Sequence, residues 1–288
     1  MCPGLGHFNF DIYSSIFDMQ YSLEGYMKLN HIITFFFCLA LLFVKDASAA
    51  ASSVVLFDEA HTQQFFVGKQ GALDLSGLAK LFSEQGAEIR TGTTLISENS
   101  LRGVDALIVS GAFTPFVNSE IEAILAFLAR GGKMALMAHI PSPYMSLATR
   151  LGVSFSNGVI LEQENLVDSN AQDFLVKDLT VHPLMTGVNS FTAYGCWALL
   201  GRIETVVSIA RTTPRAWVDL NKDGKLSEKD AMQVFSVILA GKVGQGDFVI
   251  FGDDAIFQNR FLKDGNYTLG KNLAIWFCER RESKLVQL

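Results

Sequence analysis

Cysteine is scarce in this chain. There are four in 288 residues, at positions 2, 38, 196 and 278, too few for a disulfide framework, so a hydrophobic core must carry the fold. Charged residues make up only 18% and lean acidic, with a net charge of −6 and a sequence pI near 5.4. A basic stripe is lacking, which argues against a nucleic-acid partner. No low-complexity linker or internal repeat divides the chain. What is plentiful is apolar: 49% of the residues are hydrophobic, enough for one ordinary globular domain or one domain with an insert.

The N-terminal part reads as a targeting segment. Met27 and Lys28 precede an apolar run over 32–44, which ends before Lys45, Asp46 and the small residues Ala47, Ser48, Ala49 and Ala50. A positive start, a short apolar stretch and an Ala-x-Ala ending predict a secretory signal peptide, cleaved after Ala49 or Ala50. The run falls short of the roughly 20 apolar residues that a membrane-spanning helix requires. An uncleaved anchor is the other reading. Residues 1–26 lie ahead of the natural-looking start at Met27, and Cys38 follows three phenylalanines, unlike a lipid-anchored cysteine. The expected organisation is therefore an upstream segment and signal peptide over 1–49 and one domain over 50–288. The expected location is the periplasm or outside the cell, with no membrane span after cleavage. Cys196 and Cys278 would remain, either paired or as buried thiols.

Along the remaining chain, short apolar runs alternate with helical patterns. Val54, Val55, Leu56 and Phe57 form a strand that ends in Asp58-Glu59-Ala60-His61. Leu75, Leu78, Ala79 and Phe82 recur at helical spacing, and Gly86 sits where a helix terminator belongs. A second strand covers 88–90 and a third covers 106–109, ending at Ser110-Gly111. A helix capped by Asn118 or Ser119 carries Ile121, Ile124, Leu125 and Leu128 on one face. After Gly131-Gly132, residues 133–137 form a strand ending at Ala138-His139. Strand–helix alternation predicts a parallel sheet covered by helices. Strands over 194–200 and 206–210 extend its edge. Residues 231–238 read as a helix, 248–251 as a strand ending at Gly252-Asp253-Asp254, and 266–277 as a closing helix.

Between them lies an acidic loop, 219–230. Asp219, Asn221, Asp223, Lys225, Ser227 and Asp230 fall at positions one, three, five, seven, nine and twelve, with Gly224 at six. Oxygen donors at that spacing let one short loop wrap a hard cation, and Ca2+ is the expected ligand, with Lys225 giving its backbone carbonyl. Position twelve is Asp instead of the bidentate Glu of sensor loops. An Asx-turn loop without metal is the alternative.

The order of these pieces resembles the class I glutamine amidotransferase-like domains. The matching residues are Asp58 to His61, Asp105 to Gly111, Phe116 with Ser119-Glu120, Gly131-Gly132, Phe251-Gly252-Asp253, and the closing Asn266, Asn272-Leu273-Ala274 and Trp276. The resemblance is to a secreted, non-catalytic branch, here carrying an EF-hand-like loop. It implies a flavodoxin-like α/β fold: a parallel sheet with helices on both faces, edge strands and a calcium-loop insert. No cysteine stands on either expected nucleophile turn, so the amidotransferase reaction itself is not expected.

Ligands in open α/β sheets bind outside the carboxyl ends of the strands. The polar groups expected there are Asp58, Glu59, His61, Ser110, His139, Asp253 and Asp254. Cys196 lies between aromatic and apolar residues and reads as core. The functional expectation is a calcium-binding, non-enzymatic module that recognises a small polar ligand, a glycan or a protein partner. A hydrolase using the His, Asp and Ser groups of the strand ends is the runner-up.

Overall fold

A computed structural model describes residues 52–279; the expected signal region lies outside them. Within these residues the chain opens with strand β1 (Val54–Asp58), helix α1 (Ser76–Glu84) and strands β2 (Glu88–Gly92) and β3 (Ala106–Ser110). Helix α2 (Asn118–Ala129), strand β4 (Lys133–Met137) and the short helix α3 (Met145–Arg150) follow. A long β region comes next: β5 (Val153–Leu161), β6 (Leu166–Val167), β7 (Asn170–Val176), β8 (Asp178–Leu179), β9 (Phe191–Tyr194), β10 (Trp197–Gly201) and β11 (Val207–Arg211). It continues through β12 (Trp217–Val218), β13 (Ala231–Met232), β14 (Ser236–Val243) and β15 (Gly246–Phe251), and helix α4 (Asp264–Cys278) closes the described chain.

Ten strands run in the order β13-β12-β5-β10-β14-β15-β4-β3-β1-β2, and β11 and β8 join through β14 to make a twelve-stranded sheet. Only β15, β4, β3, β1 and β2 pair in parallel; the other pairings are antiparallel. A separate three-stranded sheet, β6-β7-β9, accompanies it.

The parallel strands β1, β3, β4 and β15 are buried and mostly apolar because both their faces are covered, whereas the edge strand β2 is polar and largely exposed. Val55, Phe57, Ile108, Met137 and Phe251 pack with Leu78 and Phe82 of α1 and Leu269, Leu273 and Phe277 of α4. Leu56, Leu107, Val109 and Leu136 pack on the other side with Ile121, Ile124 and Leu128 of α2 and Leu147 of α3. Fully burying one such side chain contributes about 1.5–3 kcal/mol.

The expected flavodoxin-like fold is corrected: the described domain is a mixed, β-rich sheet served by four helices. The difference lies in residues 153–243. Ala231, Val234, Phe235 and Ile238 fit a helical period, yet this stretch forms β13 and the start of β14. The four residues Val237 to Ala240 are consecutive, apolar and buried, as in a strand covered on both faces. Residues 153–179 form β5 to β8, and the expected strand over 194–200 breaks at Gly195 and Cys196.

The helix ends show how side chains position elements. Val117, not Asn118 or Ser119, is the N-cap of α2, and Glu120 reaches back so that Oε2 accepts the Val117 N–H at 3.0 Å. At the end of α4, buried Lys133 of β4 donates from Nζ to the carbonyls of Trp276 and Glu279. Lys133→Met is expected to lower stability by about 1.5–3 kcal/mol, the range for hydrogen bonds to a charged group. Urea unfolding measures this, and an unchanged midpoint contradicts it.

Candidate functional site at the strand ends

The carboxyl ends of β1 and β3 flank the point where the parallel strand order reverses, the usual ligand crevice of such sheets. Here the chain fills that place with its own residues. His61 is 1% exposed. Its Nδ1 lies 2.7 Å from Asp58 Oδ2 and its Nε2 lies 3.1 Å from Glu120 Oε1. Gln63 donates from Nε2 to Asp58 Oδ2 at 2.5 Å, and its Oε1 accepts the His61 N–H at 2.6 Å. Glu120 Oε1 also accepts the Ile96 N–H at 2.8 Å. The imidazole stacks on Phe116 at 3.9 Å between centroids, and the His61 carbonyl accepts N–H bonds from Phe113 and Thr114. Burial alone would depress the imidazole, but Asp58 and then Glu120 outweigh it and hold the group above its usual range. His61 thus stands buried between two carboxylates that favour its protonated form, although Nε2 is not aligned for a hydrogen bond to Glu120, and it joins the loop after β1 to the start of α2.

A second pair stands at the ends of β4 and β15. His139 Nδ1 lies 3.1 Å from Asp254 Oδ1, with the imidazole side chain 41% exposed and the aspartate 2% exposed. The hydrogen bond to Asp254 raises the His139 pKa, against an opposing effect of burial. Trp197 Nε1 donates to the His139 carbonyl at 3.1 Å, and Phe65 and Phe113 lie 5.3 and 5.4 Å from the imidazole centroid. Asp254 Oδ2 and Ser110 Oγ are both buried without a hydrogen-bond partner. Gly111 joins them: its φ is +61°, and an added Cβ would stand 2.7 Å from Phe65 and 3.2 Å from Asp254 Oδ2. Tyr144, whose hydroxyl accepts the Ala112 N–H and donates to the Met137 carbonyl, feels the charge of both Asp254 and Asp58.

The structure therefore divides the seven expected cleft residues. Asp58 and His61 belong to the buried triad. His139 pairs with Asp254, whose Oδ2 faces Gly111, and Ser110 precedes that glycine with its hydroxyl buried and unpartnered. Asp253 turns away: its carboxylate accepts N–H bonds from Tyr194 at 2.6 Å and Ala255 at 2.8 Å. Burial and the neighbouring Asp254 charge push its carboxyl up to about 8. Glu59 accepts the Val67 N–H and lines a 690 Å³ groove with Lys69, Ser76, Lys80, Ile89 and Thr91. Cys196 is buried, and burial drives its thiol well above the ordinary range; Cys278 is also unpaired. Sequence reasoning missed Glu120, Gln63, Phe65 and Phe113. Glu120 was visible only as part of a helix start, and the others carry no local signature.

The acidic loop joins β12 to β13, which pair antiparallel as Trp217 with Met232 and Val218 with Ala231. It is a hairpin loop, not half of an EF-hand. Asp219 accepts the N–H groups of Lys222, Asp223 and Gly224, and Asp223 accepts that of Lys225. Asn221 Nδ2 donates to Asp223 Oδ2 at 2.9 Å. Asp230 closes the loop on the N–H groups of Leu220 and Ser227 and on the Ser227 hydroxyl. Lys222 and Gly224 take left-handed backbone at φ +61° and +74°. Among the described residues no group of three or more His, Cys, Asp or Glu is arranged to hold a metal ion.

One family model matches residues 72–274, that of a domain of unknown function, DUF4350. The chain belongs to the DUF4350 family. The likeness to amidotransferase-like domains and to an EF-hand is thereby corrected: the matched family is a different one, and nothing EF-hand-like accompanies it. The motifs behind that likeness were short strand ends and glycine turns, which parallel sheets of many families share. No curated protein matches the sequence.

Among solved structures, the DUF4350 domain is similar to the "mmIFT52 N-terminal domain". The two are 16% identical with a TM-score of 0.63, over 78% of this chain and 98% of that one. Cytoplasmic protein STM1381 from Salmonella typhimurium LT2 is 13% identical with a TM-score of 0.53, over 79% of this chain and all of the other. A ThuA-like protein from Bacteroides uniformis is 14% identical with a TM-score of 0.47, over 79% and 91% of the two chains. Likeness at these identities speaks of fold alone. Among the described residues no helix is long and apolar enough to cross a membrane.

Proposed function

We propose that this DUF4350 chain is an exported binding or scaffolding module that recognises a small polar ligand through the His139–Asp254 pair at its strand ends. One observation carries the reading: a half-exposed imidazole held by a buried aspartate whose second oxygen is buried and unpartnered. Leaving a buried polar group unsatisfied costs about 1–3 kcal/mol, so such groups mark a place prepared for a partner. The hydrolase alternative needs a nucleophile in hydrogen-bond reach of a base. Ser110 Oγ has no such bond to any base, and His61 is enclosed.

Thermal-shift screening of polar small molecules tests the proposal: a ligand should raise the melting temperature of the native chain and not of His139→Ala. A rise common to both proteins contradicts it. A serine-directed phosphonate should leave Ser110 unmodified, and a mass-detected adduct there would favour the hydrolase.

Calcium completes the proposal as a structural ligand of the 219–230 loop. Asp219, Asn221, Asp223, Ser227, Asp230 and the Lys225 carbonyl would supply the oxygens. A carboxylate oxygen that accepts one N–H retains capacity for a cation. Calcium at millimolar concentration should raise the melting temperature of chelator-stripped protein by a few degrees, and Asp223→Ala should abolish the rise. Equal responses of the two proteins would remove calcium from the account.

A further inference from the structure

We infer that the ligand of the His139 site is a neutral polyhydroxylated molecule, a saccharide. The inference rests on the binding reading above and names its chemistry. Asp254 Oδ2 is buried without a partner while Oδ1 takes His139 Nδ1, and a hydrogen-bond donor would satisfy it. His139, with Nδ1 on Asp254, has Nε2 left to offer. Hydroxyl groups, which give and take hydrogen bonds at once, suit this mixture better than any group of fixed polarity.

Charge narrows the class further. The His139 imidazole is matched by the Asp254 carboxyl at 3.1 Å, so the site holds no surplus positive charge for an anion. A cation gains little either, because the imidazolium itself stands beside the two aromatic rings, 5.3 Å from Phe65 and 5.4 Å from Phe113. Phe113 is 37% exposed and Phe65 and Trp197 are half-buried. Their apolar surfaces next to hydrogen-bonding groups match a sugar ring, which presents C–H faces and a hydroxyl edge.

The test uses the full chain labelled with 13C-histidine, with the His139 signal identified by its loss in His139→Gln. Glucose, galactose, mannose and N-acetylglucosamine are titrated separately, as are inorganic phosphate and tetramethylammonium. The expected result is a saturable shift of the His139 signal with at least one sugar. Phe113→Ala, at an exposed position, should weaken it by about tenfold or more, and Asp254→Asn should abolish it. Movement with phosphate or tetramethylammonium alone overturns the saccharide class and leaves the binding reading standing. Sugar-induced movement that survives both variants also overturns it. No movement with any probe overturns both.

Discussion

Replacing His61 with leucine is expected to destabilise the domain by about 3–5 kcal/mol at pH 6, the range for removing one partner of a buried ion pair. The substitution leaves Asp58 and Glu120 facing each other's charge in the interior without the cation between them. The lower end of the range applies, because Gln63 still donates to Asp58 and the N–H groups of Ile96 and Val117 still donate to Glu120. The effect carries a pH signature. The folded-state His61 pKa is raised above the unfolded value. Its contribution is therefore full below about pH 6.5 and is lost as the pH climbs through the raised folded value. Urea unfolding of both proteins at pH 6 and at alkaline pH should show the gap shrinking on the alkaline side. A gap below about 1 kcal/mol at pH 6, typical of an ordinary surface change, would contradict this role for His61.

Gly252→Ala is expected to cost about 1–3 kcal/mol, toward the upper end, because the obstacle is backbone. An added Cβ would stand 2.1 Å from the Trp197 carbonyl oxygen and 2.9 Å from Cys196 Sγ. The backbone at this position is fixed on both sides: the Gly252 N–H donates to Val237, and its carbonyl accepts from Trp197 at 2.7 Å. Relief of the clash must move the end of β15, and Asp253 and Asp254 follow directly. His139 then loses the partner that raises its pKa. Thermal unfolding should show the lost stability, and an NMR titration should show the His139 pKa falling toward the ordinary imidazole value. A native melting temperature with an unaltered His139 titration would mean that the strand end tolerates the methyl group.

The sequence made the parallel strands legible because their apolar runs end sharply in polar groups. Val54 to Asp58, Ala106 to Ser110 and Phe248 to Phe251 each lie within a strand, and Gly86 takes the left-handed backbone of a helix terminator at φ +79°. The antiparallel half was obscured by Ala231, Val234, Phe235 and Ile238, whose spacing satisfies a helix although long-range pairing with β11 and β15 decides the outcome. The same limit governed the site. Strand ends could be found one at a time, so Asp58, Ser110, His139 and Asp254 were visible as candidates. Nothing local said that His61 turns inward to Glu120, 59 residues away along the chain, or that His139 turns to Asp254 across 115. Side-chain direction at a loop is set by packing, and packing is not periodic.

Deuterium exchange at the histidine C2 position, followed by mass spectrometry, measures both histidines at once and tests the division between them. His61, enclosed by Asp58, Glu120, Gln63 and Phe116, should exchange far more slowly than His139, whose imidazole is 41% exposed. Fast exchange at His61, or a His139 as protected as His61, would mean that the buried pair and the working pair have been assigned the wrong way round.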